Sequence, residues 1–195
     1  MAEIELPKPE ELEEVMDHKF TRRVALTTAI FAVLLAFSSL GGNNAMKEMI
    51  LAQQQASDQW AYYQAKAGRE HFYRSQKMRL ELDLLEKETL KPSVRQRYET
   101  LLKQMAAQEE RYGKERQDIE QAARKLEHER DVASSKDPYF DYAEVLLQIA
   151  IVMATVAILS QSRAIFGVAL TAAIFGALLG LNGFLLLYNL PFLSH

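Results

Sequence analysis

The side chains that could do chemistry near neutral pH are few. The four histidines, His18, His71, His128 and His195, are scattered along the chain. None has a partner at metal-ligand spacing, and neither H-E-x-x-H nor E-x-x-H occurs. Glu127-His128-Glu129 is the most suggestive triplet. Adjacent residues of a helix point in different directions, so the expected reading is a solvated helix face. The chain has no cysteine, which excludes disulfides, thiolate zinc sites, iron–sulfur clusters, thiol nucleophiles and thioether lipidation. Neither G-x-x-x-x-G-K nor G-x-G-x-x-G is present, so no glycine-rich cradle for phosphates is expected. A formal net charge of −3 argues against nucleic-acid binding, which needs a basic surface. The expectation is no catalytic, cofactor-binding or metal-binding residue, and no enzyme.

The elements that carry these residues are set by where the apolar residues sit. A mean hydropathy of −0.16 suggests an ordinary globular chain, but charge and long apolar runs occupy different regions. Val24–Gly42 has no ionisable residue and, as a helix, reaches roughly 28 Å, close to a bilayer core. It is expected to be a retained signal anchor, since acidic residues precede it and no A-x-A cleavage pattern follows. Residues 164–188 form another charge-free span. Residues 139–160 form a weaker one, interrupted by Gln148, with Tyr139, Phe140 and Tyr142 as an interfacial belt. Ser160-Gln161-Ser162-Arg163 is so short a link that its flanking helices must be antiparallel. Lys19, Arg22, Arg23 and Arg163 place the N-terminus and this link in the cytoplasm by the positive-inside rule, and residues 189–195 outside.

Residues 43–138 are rich in helix formers, broken at Lys91-Pro92-Ser93. A long antiparallel, coiled-coil-like hairpin is expected, with the turn near 91–93, arms about 60 to 70 Å long, and Ser93 with Gln96 as a capping box. Asp137-Pro138 should end the second arm. That arm has one sound heptad seam, Tyr98, Met105, Tyr112, Ile119, Leu126 and Ala133. A second, Val94, Leu101, Gln108, Glu115, Ala122 and Glu129, is half polar. The first arm has a wider stripe through Ala45, Met49, Ala52, Ala56, Trp60, Tyr63, Ala67, Met78, Leu82 and Leu85, broken by His71 and Arg74. The pairs Glu70–Arg74, Asp83–Lys87, Glu99–Lys103, Glu110–Lys114 and Glu120–Arg124 at i, i+4 read as a solvated surface.

Small residues recur at helical spacing in two spans, Ala172, Gly176 and Gly180 in the third and Ala25, Ala29, Ala32 and Ala36 in the first. They fit close packing within a chain or between chains. Gly41 and Gly42, before Asn43-Asn44, read as a hinge or helix break, with a close helix crossing as the alternative. Trp60, Tyr62, Tyr63, Phe72 and Tyr73 read as core of a helical bundle or as a partner patch. Residues 1–23 form an acidic tail with a short amphipathic helix, suited to docking on protein rather than on an anionic leaflet. The spans have no ionisable group away from their ends, which disfavours proton-coupled transport. Thr27, Thr28, Ser38, Gln148, Thr155 and Asn182 could line a pore.

The stretch FTRRVALTTAIFAVLLAFSSLGGNN through QQQASDQWAYYQAK to HFYRSQK resembles an uncharacterised family of small bacterial membrane proteins carrying only a domain-of-unknown-function label. The resemblance covers the whole chain and is most specific over 41–66. It implies a bacterial inner-membrane protein and no activity, cofactor or catalytic residue. The combined reading is an all-α membrane protein with three transmembrane helices and an extracytoplasmic hairpin between the first and second. Its expected partners are the lipid bilayer, further copies of itself and another membrane complex. A structural, scaffolding or accessory role is expected, with an oligomeric channel as the alternative.

Overall fold

The computed structural model describes residues 9–87 and 90–188, with side chains from His18 onward; the tail at 189–195, with His195, lies outside the described residues. Among the described residues there are three helices, α1 (Pro9–Glu86), α2 (Pro92–Leu159) and α3 (Arg163–Leu185). Each contains a stretch long and apolar enough to cross a membrane. Residues up to Glu48 together with those from Val132 onward make one compact unit, and Met49–Asp131 make a second.

The first unit is a three-helix bundle. Its core is Val24, Phe31, Leu147, Ala150, Ala154, Ala169 and Ala173, with Phe20, Leu34 and Phe166 packed against it. The larger aliphatics point the other way: Leu26, Ile30, Val33, Val145, Val152, Ile174 and Leu178 are each more than half exposed. Alanine inside and leucine outside is the reverse of a water-soluble core, where the largest apolar side chains are buried first. Only 22% to 28% of each apolar stretch is buried within the chain.

The link between α2 and α3 is as tight as expected, and its geometry explains why. Gln161 sits in the left-handed region at φ 48°. Its N–H reaches the Ile158 carbonyl at 3.4 Å and the Ser162 N–H reaches Ala157 at 3.2 Å, the two bonds of a Schellman stop. Ser162 then caps α3, its hydroxyl accepting from the Ile165 N–H. At the far end the Asn182 amide donates to the Tyr188 carbonyl at 2.8 Å and accepts from its N–H at 3.0 Å.

Three boundaries differ from the expectation. The acidic tail helix is not separate, because α1 runs unbroken from Pro9. The hairpin's second helix opens on Pro92 itself, where a missing N–H costs nothing, and the Lys91 carbonyl accepts from Val94 and Arg95; Ser93 lies inside the first turn. Pro138 does not end the second arm but lies within α2. A mid-helix proline costs about 3 kcal/mol. Directly after it Tyr139 and Phe140 are almost fully buried, and burying a ring such as Phe140 stabilises by about 1.5–3 kcal/mol. The same burial removes both from the expected interfacial belt, leaving Tyr142 exposed.

In the second unit α1 and α2 run antiparallel. Gln53 meets Arg130, Trp60 meets Glu127, Lys66 meets Glu115 and Lys77 meets Glu109, so position rises along one arm as it falls along the other. Tyr112, Ile119 and Ala123 are buried apolar residues of α2 in this unit, and Ala52 and Ala56 are those of α1. The sound heptad seam is on the packed side throughout. The first arm's stripe holds through Ala67 and then diverges. Met78, Leu82 and Leu85 are exposed, and the inward positions pass to Glu70, Tyr73, Lys77, Leu80 and Leu84.

Candidate functional site

The densest polar cluster lies between the arms of the hairpin. Glu70 is the buried charge, with only 7% of its side chain exposed. Arg74, one turn on, donates to Oε1 at 2.7 Å, and the Arg116 Nε stands 3.0 Å from Oε2 without the alignment of a hydrogen bond. Arg116 donates instead to the Tyr63 hydroxyl at 3.1 Å and lies over the Tyr63 ring. Glu70–Arg74 is therefore part of an inter-arm network rather than the solvated pair expected. Asp83–Lys87, Glu110–Lys114 and Glu120–Arg124 are surface pairs, while Glu99 pairs with Arg95.

Flanking this centre, Glu109 accepts from Arg74 at 2.8 Å and from Lys77 at 2.7 Å. These two cations, Arg74 first, hold its carboxyl below the usual carboxylate range. Glu115 is lowered in the same way by Lys66 and then Arg111, and Glu115 in turn raises the Lys66 ammonium. Every acid here is opposed by a base, so the cluster fixes register and leaves no proton acceptor poised for reaction.

The aromatic residues divide between two environments. Trp60 donates its indole N–H to Glu127 at 2.9 Å, and Tyr73 stacks on Tyr112 with centroids 5.5 Å apart. Trp60, Tyr63 and Tyr73 thus face the second arm. Tyr62 and Phe72 point away and are at least half exposed. In the triplet at 127–129, Glu127 is taken by Trp60 and Glu129 lies 3.9 Å from Lys125, with His128 exposed. Among the described residues no group of acidic or histidine side chains could hold a metal ion.

In the three-helix unit, Gly41 and Gly42 form no break, since α1 is helical through both. They are where a ring crosses the helix. A methyl at Gly41 would overlap the Phe140 ring and stand 2.8 Å from Phe184 Cζ, and one at Gly42 would stand 3.1 Å from Phe140 Cβ. Phe140 and Phe184 meet edge to face at 4.8 Å. Gly176 and Gly180 are likewise occupied within the chain, against Leu147, Ala143 and Ser38, with Ala172 beside the core. Ala25, Ala29, Ala32 and Ala36 lie on the opposite, exposed face of α1.

The polar residues considered for a pore are mostly engaged. Thr27, Thr28 and Thr155 donate to the carbonyls of Arg23, Val24 and Ile151 one turn back. Asn182 closes the end of α3, and Ser38 is buried beside Gly180; Gln148 is exposed. Asp137, just before the buried aromatic pair, is raised by burial and then by Asp141.

No curated protein and no solved structure matches the chain. A family model described as a domain of unknown function, DUF4337, matches residues 20–186. That span takes in the packed bundle, the hairpin and its ionic seam, and the chain belongs to the DUF4337 family.

Proposed function

We propose that the chain is an integral inner-membrane protein of structural, scaffolding or accessory type that assembles with further copies of itself. The observation that carries this is the placement of its apolar residues. In the bundle large aliphatic side chains face outward around an alanine and glycine interior, as suits helices solvated by lipid. On the hairpin, Met78, Leu82 and Leu85 make an i, i+4, i+7 stripe exposed to 56%, 54% and 74%. In water such a stripe is a contact surface, and a second hairpin with the same stripe is its natural cover. With Ala172, Gly176 and Gly180 occupied inside one chain, the alanine face at 25, 29, 32 and 36 is the small-residue stripe left for close approach between chains.

The cations at Lys19, Arg22, Arg23 and Arg163 support an orientation with the N-terminus in the cytoplasm and the hairpin outside. Mass measurement in mild detergent tests the assembly: an oligomer is expected, and Leu82→Glu with Leu85→Glu should shift it to monomer. A strict monomer at micromolar concentration would end the reading. A conducting oligomer would have to be lined chiefly by Gln148 among the six polar candidates, and the expected result for the purified protein in planar bilayers is no conductance.

A further inference from the structure

We propose that the three-helix unit carries a binding site for the phosphate-bearing headgroup of an anionic lipid, in the cleft formed by Lys19, Phe20, Arg23, Arg163 and Phe166. The cleft has a volume of about 380 Å³. Lys19 and Arg23 stand one turn apart on the same side of α1, and Arg163 is the first residue of α3. Sequence positions far apart are thereby brought to one opening. None of the three cations has an acidic partner among the side chains described from His18 onward. Of the acids in this unit, Glu48, Asp137, Asp141 and Glu144 lie toward the other end of the bundle, where Gly41 crosses Phe140, while Glu10, Glu11, Glu13, Glu14 and Asp17 sit on the turns of α1 that precede Lys19. The N-terminal end of α3 adds its own partial positive charge beside Arg163.

Charge alone would suit any phosphate; the floor makes the choice. Phe20 and Phe166 meet edge to face at 6.0 Å, and both pack against the bundle core. Below them run the outward aliphatic faces of the spans. A cationic rim above an apolar floor that continues along lipid-facing helices matches a headgroup with its acyl chains attached, as basic clefts at the cytoplasmic ends of membrane helices do. A free phosphate would use the rim and leave the exposed faces of the rings uncovered.

The site rests on reading the apolar stretches as membrane spans, so co-flotation of the full chain with pure phosphatidylcholine vesicles tests that reading separately. The lipid test itself uses the full chain in nanodiscs of phosphatidylcholine with increasing phosphatidylglycerol, counting retained lipid by native mass spectrometry. Wild type should retain phosphatidylglycerol preferentially. Arg23→Gln and Arg163→Gln should each weaken this about five-fold, while Arg22→Gln, a neighbouring cation outside the cleft, should change it less than two-fold. No preference in the wild type, or an equal loss from Arg22→Gln, would overturn the site. Binding of inorganic phosphate alone with the same dependence on Arg23 and Arg163 would assign the cleft to a soluble anion and overturn the lipid assignment.

Discussion

A glycine's role depends on what lies beside it, and two glycines of α1 make opposite predictions. At Gly41 an added methyl meets the Phe140 and Phe184 rings, whereas at Gly68 nothing lies within 4 Å. Gly41→Ala should destabilise the chain by about 1–3 kcal/mol through overpacking. Gly68→Ala should stabilise it by up to about 1 kcal/mol through helix propensity. Thermal unfolding in detergent followed by circular dichroism compares them, and Phe140→Leu should relieve much of the Gly41→Ala cost. Gly41-Gly42 was ambiguous in the sequence because a helix break and a close crossing demand the same residue. The partner that decides it, Phe140, is about a hundred positions away.

The hairpin is the element whose stability should respond to charge. Arg116→Leu leaves the buried Glu70 Oε2 without its nearest cation and should cost about 2 kcal/mol. Replacing both, Glu70→Leu with Arg116→Leu, should recover most of that loss, because an apolar pair carries no desolvation penalty; a double-mutant cycle on unfolding reads the difference. The seam also sets a pH limit. Glu109 and Glu115 are held below the ordinary value of about 4.5, so their contribution is complete above that value and disappears as pH falls through the lower, folded one. Lys66 gives the mirror image, contributing below about 10.5 and losing its effect as pH rises through its raised value. The melting temperature should therefore drop on acidification below about pH 4.5, and Glu109→Gln with Glu115→Gln should flatten that limb. The second arm's seam was readable as a heptad because its inward residues are apolar. The first arm beyond Ala67 was not. There the inward positions include Glu70 and Lys77, so following apolar residues leads to the outer stripe at Met78, Leu82 and Leu85.

For the whole molecule, three apolar stretches, a hairpin between the first and second, and a tight link before the third were all legible. Charge-free length and helix-breaking prolines are properties of contiguous residues. Pro138 was misread by the same logic, since its tolerance depends on burial of the rings that follow it. Orientation is open to direct measurement because the chain has no cysteine of its own. Gln104→Cys on the hairpin should react with an impermeant maleimide in intact cells, and Ser160→Cys in the tight link only after permeabilisation. The opposite pattern would reverse the proposed orientation.

The alanine and glycine interior of the bundle has one more consequence. Such side chains have no rotamers to freeze, so packing them loses almost no side-chain conformational entropy. They also have no alternative rotamers with which to accommodate a displaced neighbour. Along the alanine and glycine faces, a change of shape must therefore come as the sliding or rotation of whole helices, with side-chain rearrangement confined to the few large residues among them, Phe31, Leu147 and the Phe140–Phe184 pair.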